Sequence, residues 1–290
     1  MQYLSKFEAL IICFLLASFF VSSLYFFDRK KQLKLSRDHP EVIKKRFISI
    51  LIVCVVSPIV LLIYYFIRNV FDNNSFNFIL NTMGITYKNI IIGVVIGLLL
   101  VLEIYFGPIV VMYYQNELIF QNENYKYIQM TLIEIRNFIV GPLSEEFIFR
   151  SCMVSVCYLA EFTNKFMIFA LPLFFGVAHV HHAYEYYMQN KNQEGVLIQA
   201  ILGTGFQFLY TTVFGWFSTY LILRTGNILS PIFAHALCNI FGFPDVNSVL
   251  SATGKSKVTY VTCYVIGLIV FIISMHFVSK TSLLQSFFWN

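Results

Sequence analysis

Charge is what this 290-residue chain has little of: Asp, Glu, Lys and Arg make up 12% of it. A soluble domain of this size carries about 25%. Set against 58% apolar residues, that shortage excludes a soluble enzyme and fits a polytopic membrane protein. The cysteines exclude two more classes. Cys13, Cys54, Cys152, Cys157, Cys238 and Cys263 lie within apolar runs and lack paired loop spacing. They form neither a disulfide framework nor a zinc-type CxxC, and read as small buried apolar side chains. HExxH is missing as well, which removes the zincin type of protease. There is no internal repeat, no low-complexity tract and no loop long enough for a soluble domain.

What the chain does have is long uncharged runs. Residues 9–27, 47–67, 166–184 and 258–278 each carry no formal charge with histidine neutral. Each approaches or meets the roughly 20 residues that a helix needs to cross the hydrocarbon layer. The run 196–223 is longer and can tilt. The run 89–114 holds Glu103 and Gly107-Pro108, and a kink is expected there. Two more runs are 137–160 and the short 228–243. The reading is all-α, a polytopic integral membrane helical bundle of about eight transmembrane helices. The first run is read as a retained anchor, because a strongly basic segment follows it.

That segment, 28–46, holds eight of the twenty Lys and Arg residues. The positive-inside rule places it in the cytosol and the N-terminus across the membrane. Anionic lipid headgroups are attracted to such a loop, whereas nucleic acid has no soluble domain to meet. Three regions are expected: N-terminal membrane helices over 1–130, a catalytic membrane core over 131–245, and a last helix with its tail over 246–290.

Ionisable residues at membrane depth cost about 2.5–3.5 kcal/mol each and point to function. Here they are Glu103, Glu145, Glu146, Arg150, His179, His181, His182, His235 and His276, with Asn239 a neutral addition. In GPLSEEFIFR, neighbours on a helix differ in direction by about 100°, so Glu145 and Glu146 do not share a face. Glu146 and Arg150 are i,i+4 in the favourable order and pair. Glu145 is left as a carboxylate available to activate water. A buried salt bridge at a kink below Gly141-Pro142 is the plain structural alternative.

In FFGVAHVHHAYE, Phe175 and His179 share a helix face. His179 and His182 have the i,i+3 spacing of metal ligands, while His181 and His182 also read as interfacial or capping histidines. His276 reads as a packing residue. In SPIFAHALCNIFGFP, His235 and Asn239 point the same way as i,i+4 donors. Two donors converging on an oxyanion are worth about 3–4 kcal/mol apiece in a dry site. An interhelical hydrogen-bond pair is the alternative. A thiol mechanism through Cys238 ranks below water activation, since nothing nearby in sequence activates the thiol.

These residues resemble the type II CAAX prenyl endopeptidases. GPLSEEFIFR fits their EExxxR motif, FGVAH their FxxxH motif and HALCN their HxxxN motif, in the same order. The similarity extends over RNFIVGPLSEEFIFRSCM and FQFLYTTVFGWFSTYLILRTGNI. The resemblance implies a glutamate-dependent intramembrane protease with no required metal or other cofactor. Glu145 would activate water with help from His179, His235 and Asn239 would stabilise the oxyanion, and Glu146 and Arg150 would orient the site. The implied substrates are farnesylated or geranylgeranylated CaaX proteins, such as Ras-type small GTPases, which lose their last three residues. The implied place is the endoplasmic reticulum membrane, with a lumenal N-terminus and a site open to the cytosol. The competing class is a non-proteolytic membrane protein, a transporter or proton relay, in which Glu103 would carry the weight.

Overall fold

The computed structural model describes residues 3–27, 35–118, 121, 130–280, 282 and 284–289. Arg29, Lys30, Lys31 and Lys34 of the basic segment lie outside the described residues. The described residues form helices joined by short connections, with no strand among them. Those longer than four residues are α1 (Lys6–Ser23), α2 (Pro40–Ile67), α3 (Phe76–Thr82), α4 (Ile90–Ile104) and α5 (Phe106–Tyr114). Then comes α6, an unbroken helix over 132–159 in which two π-helical stretches, Arg136–Val140 and Phe147–Cys152, interrupt the α-helical winding. It is followed by α7 (Asn164–Ala178), α8 (His181–Asn190), α9 (Val196–Thr225), α10 (Leu229–Phe241), α11 (Val246–Ser251) and α12 (Gly254–Lys280).

Among the described residues, five helical runs are long and apolar enough to cross a membrane, and α4 with α5 makes a sixth if the bent pair counts as one span. The all-helical membrane class therefore holds, while the count of eight does not emerge from length and apolarity. The two remaining runs explain the difference. Helix α6 carries the charges of GPLSEEFIFR, and α10 is only 13 residues long. The expected kink in 89–114 is a 60° bend between α4 and α5. It falls at Tyr105, just before Gly107 and Pro108, because proline fits the first turn of a new helix and breaks the interior of an old one.

Helix α6 is the centre of the molecule. Ile148, Phe149, Cys152, Met153, Val154, Val156 and Cys157 are all buried, around nearly its whole circumference. Helices buried on one side only, such as α2 and α12, present Ile, Leu, Val and Phe outward, as a lipid-facing surface requires. Small polar residues tie α6 to its neighbours. The Ser155 hydroxyl meets Tyr65 of α2 at 3.0 Å and Thr82 of α3 at 2.7 Å, and Ser151 donates to the Met83 carbonyl at 2.6 Å. The backbone N–H of Tyr3 donates to the Leu159 carbonyl, which fixes the N-terminus at the far end of α6. The C-terminal tail returns to that same end. Arg224 donates to the Leu284 carbonyl, and Asn164 to that of Phe288.

Helices α7 and α9 pack most closely, and glycine makes the approach possible. A Cβ on Gly215 would stand 2.6 Å from the Pro172 ring and 3.0 Å from an Arg150 nitrogen. One on Gly176 would meet Thr212 at 2.5 Å. This contact sets the position of α9 over the charged segment of α6.

Candidate active site

Glu146 and Arg150 form the pair expected from their spacing, with Arg150 Nε 3.3 Å from Glu146 Oε2. Both are fully buried, at 0% and 1% exposure. An ionised carboxylate only accepts hydrogen bonds, and Glu146 is supplied with donors from three helices. Arg150 lies on its own helix, the Ser218 hydroxyl donates from α9, and His235 on α10 approaches its Oε1 with Nδ1 at 2.8 Å. The Nη atoms of Arg150 make no hydrogen bond among the described residues. Instead the guanidinium lies 4.3 Å from the centre of the Phe175 ring and 5.9 Å from that of Phe214. Ring faces of this kind attract a cation.

Phe175 has a second task. Its carbonyl takes the hydrogen on Nδ1 of His179, at 2.7 Å, so the neutral ring keeps an acceptor lone pair on Nε2. The sequence pairing of Phe175 and His179 thus becomes one continuous support running from Glu146 through Arg150 and Phe175 to His179.

Glu145 takes a different direction from Glu146, as the helix geometry requires. The two acids nonetheless meet at one residue, which sequence spacing does not reveal. Glu146 faces Nδ1 of His235, and Glu145 Oε2 stands 3.8 Å from Nε2 on the other side of that ring. An imidazole has nitrogens on two edges, so carboxylates on separate faces of a helix can flank it. Because Glu146 accepts at Nδ1, Nε2 of His235 donates only when the ring is the imidazolium; the neutral ring accepts there.

Asn239 is one turn beyond His235. Its Nδ2 donates to the Asn137 carbonyl at 2.8 Å, inside the first π-helical stretch of α6. The carboxamide has a second N–H that this bond does not use. The expected convergence of two free donors is therefore modified: one N–H of each residue is already committed, to Glu146 and to Asn137.

Glu145, His179, His235 and Asn239 all line one cavity of about 800 Å³. Its walls are largely aromatic and aliphatic, with Phe20, Phe47, Ile50, Tyr210, Phe217 and Phe271 drawn from four helices and Tyr105 from the bend between α4 and α5. Arg37, Arg46 and Arg136 lie at the end that holds the basic segment. Cys238 is also on the wall.

The other residues at membrane depth go elsewhere. Glu103 accepts from Ser274 at 2.8 Å and ties α4 to α12, outside the cavity lining. The Nδ1 of His181 donates to the Ala178 carbonyl at 2.5 Å, which is a capping contact at the end of α7. His181, His182 and Glu185 bring ligand atoms within 4.8 Å of one another. Glu185, however, is already held by Arg46 at 2.5 Å and by the Tyr25 hydroxyl at 2.8 Å. The sequence marked Arg37 and Arg46 only as part of the basic segment, and it marked neither Arg136 nor Ser218 nor the carbonyl of Asn137 as part of a site. A lone serine in an apolar run was the one available signal.

The family model described as Type II CAAX prenyl endopeptidase Rce1-like matches residues 128–241. The human CAAX prenyl protease 2 is 32% identical over 246 residues, covering 82% of this chain and 71% of the human protein. The probable CAAX prenyl protease 2 of Schizosaccharomyces pombe is 32% identical over 267 residues and 90% of each chain. That of Arabidopsis thaliana is 31% identical over 271 residues, 87% of this chain and 83% of its own. The chain belongs to the type II CAAX prenyl endopeptidase family. It is thus a multi-pass member of a family of membrane proteases, and the EExxxR, FxxxH and HxxxN motifs of that family are the ones that line or support the cavity. No solved structure matches the chain.

Proposed function

We propose that this protein removes the C-terminal tripeptide from farnesylated or geranylgeranylated CaaX proteins, Ras-type small GTPases among them, at the endoplasmic reticulum membrane. The observation that carries the reading is the single cavity onto which Glu145, His179, His235 and Asn239 all open. Its apolar wall suits a prenyl chain, which gains about 0.8 kcal/mol for each CH₂ it buries. With the basic segment in the cytosol and the N-terminus in the lumen, the cavity receives the peptide from the cytosolic side and the lipid from within the bilayer. In this reading the catalytic core is 131–245, although its wall also draws on α1, α2, α4 and α12.

In the reaction, Glu145 takes a proton from water, and the water oxygen attacks the carbonyl carbon of the prenylated cysteine. Negative charge then develops on the carbonyl oxygen. The free N–H of Asn239 and the Nε2–H of a protonated His235 are the donors for it. Glu146, anchored by Arg150 and Ser218, holds the ring in place through Nδ1. His179 Nε2 is free to accept a hydrogen bond from the attacking water. As the C–N bond breaks, the proton held by Glu145 passes to the leaving nitrogen. The products are a prenylcysteine carboxylate and a free tripeptide.

The test is hydrolysis of a farnesylated CaaX peptide by the purified protein in the presence and absence of a chelator. Tripeptide release that survives chelation and Cys238→Ala, and is lost in His235→Ala, supports the mechanism. Release that needs added zinc, or stops in Cys238→Ala, contradicts it.

A further inference from the structure

We propose that Arg37 receives the free α-carboxylate at the substrate's C-terminus and so sets where the substrate is cut. The inference rests on the proteolytic reading above. Three residues lie beyond the scissile bond, and an extended tripeptide spans at most about 10 Å. A CaaX substrate therefore carries a full negative charge into the cavity that holds Glu145. A carboxylate taken out of bulk water and left unpaired is costly, so the wall needs a cation that is not already spent.

Three guanidiniums line that wall. Arg46 is spent: its Nη2 lies 2.5 Å from Glu185, which also takes the Tyr25 hydroxyl. Arg136 is spent as well, donating to Asp38 at 2.8 Å and to the Arg37 carbonyl at 3.1 Å. That second bond fixes the backbone of Arg37 against the start of α6. The side chain of Arg37 stays available, half-exposed, with its Nε no nearer than 3.9 Å to the Asp38 carboxylate that Arg136 already holds. Its guanidinium makes no hydrogen bond among the described residues. One carboxylate thus faces two arginines, and the surplus positive charge is on the one that is free. A guanidinium presents two parallel N–H groups to a carboxylate, which gives direction as well as charge.

The recognised chemistry is a singly charged oxyanion, which an anionic lipid headgroup also supplies, so the test separates the two sources. Farnesylated CaaX peptide with a free C-terminus is compared with the same peptide as its C-terminal amide. Both are measured in phosphatidylcholine vesicles with and without phosphatidylserine. Wild type is expected to favour the acid about tenfold, mainly in KM. In Arg37→Ala the acid falls to the level of the amide, and Arg37→Lys restores part of the preference, in both kinds of vesicle. An equal loss on acid and amide, or a loss confined to vesicles with phosphatidylserine, overturns the assignment while leaving the protease reading intact. If wild type cleaves neither peptide, the protease reading falls and this inference with it.

Discussion

The packed side of α6 and its cavity side treat neighbouring carboxylates in opposite ways. Glu146 has no exposure and takes donors from Arg150, Ser218 and His235. Glu145, one residue earlier, lines the cavity, with Nε2 of His235 standing 3.8 Å from its Oε2. The lesson is a division of labour. A saturated buried acid fixes the geometry of its surroundings, while an acid short of partners keeps a lone pair for water. His235 joins the two, with one nitrogen toward each side.

The contrast is broken most severely from the packed side. Glu146→Ala leaves Arg150 as a buried cation without a counter-ion, which costs about 3–5 kcal/mol. Thermal unfolding in detergent should show a large loss of stability, or no folded protein at all. Gly215→Val forces atoms into the Pro172 ring and Arg150, and overpacking of this kind costs about 1–3 kcal/mol. Its Tm should fall with the charged pair still in place. Ser218→Ala removes one of three donors to a charged acceptor, worth about 1.5–3 kcal/mol before the other two compensate. It should lower stability less than Glu146→Ala, and it sharpens the comparison if activity falls further than stability does. Phe175→Leu keeps the carbonyl that holds His179 and removes the ring beneath Arg150. A change of about 0.5–2 kcal/mol in unfolding free energy is expected.

The layout of the helices was legible from charge alone. The uncharged run 196–223 became Val196–Thr225, and 47–67 became the inner part of Pro40–Ile67. The bend near Gly107-Pro108 was legible for the same reason, since the rule that proline breaks a helix interior is local. Span number was less so, because α6 keeps its charges inside the bundle and α10 is short. Within the site, the i,i+4 pair of Glu146 and Arg150 was readable, whereas the meeting of both glutamates at His235 was not. That contact joins residues 89 positions apart and depends on how α10 crosses α6. Ser218 and the Asn137 carbonyl were hidden for the same reason. A neutral hydroxyl or a backbone oxygen has no charge to betray it, and each acts across a helix interface. The π-helical stretches of α6 leave no mark in hydropathy at all.

The division of labour between the two acids is tested most directly by Glu145→Gln, assayed on farnesylated CaaX peptide alongside its own thermal unfolding. The account predicts loss of the acid–base contribution, about 10²–10⁴-fold in kcat, from a protein as stable as wild type. Near-wild-type cleavage, or a protein that unfolds as readily as Glu146→Ala, contradicts it.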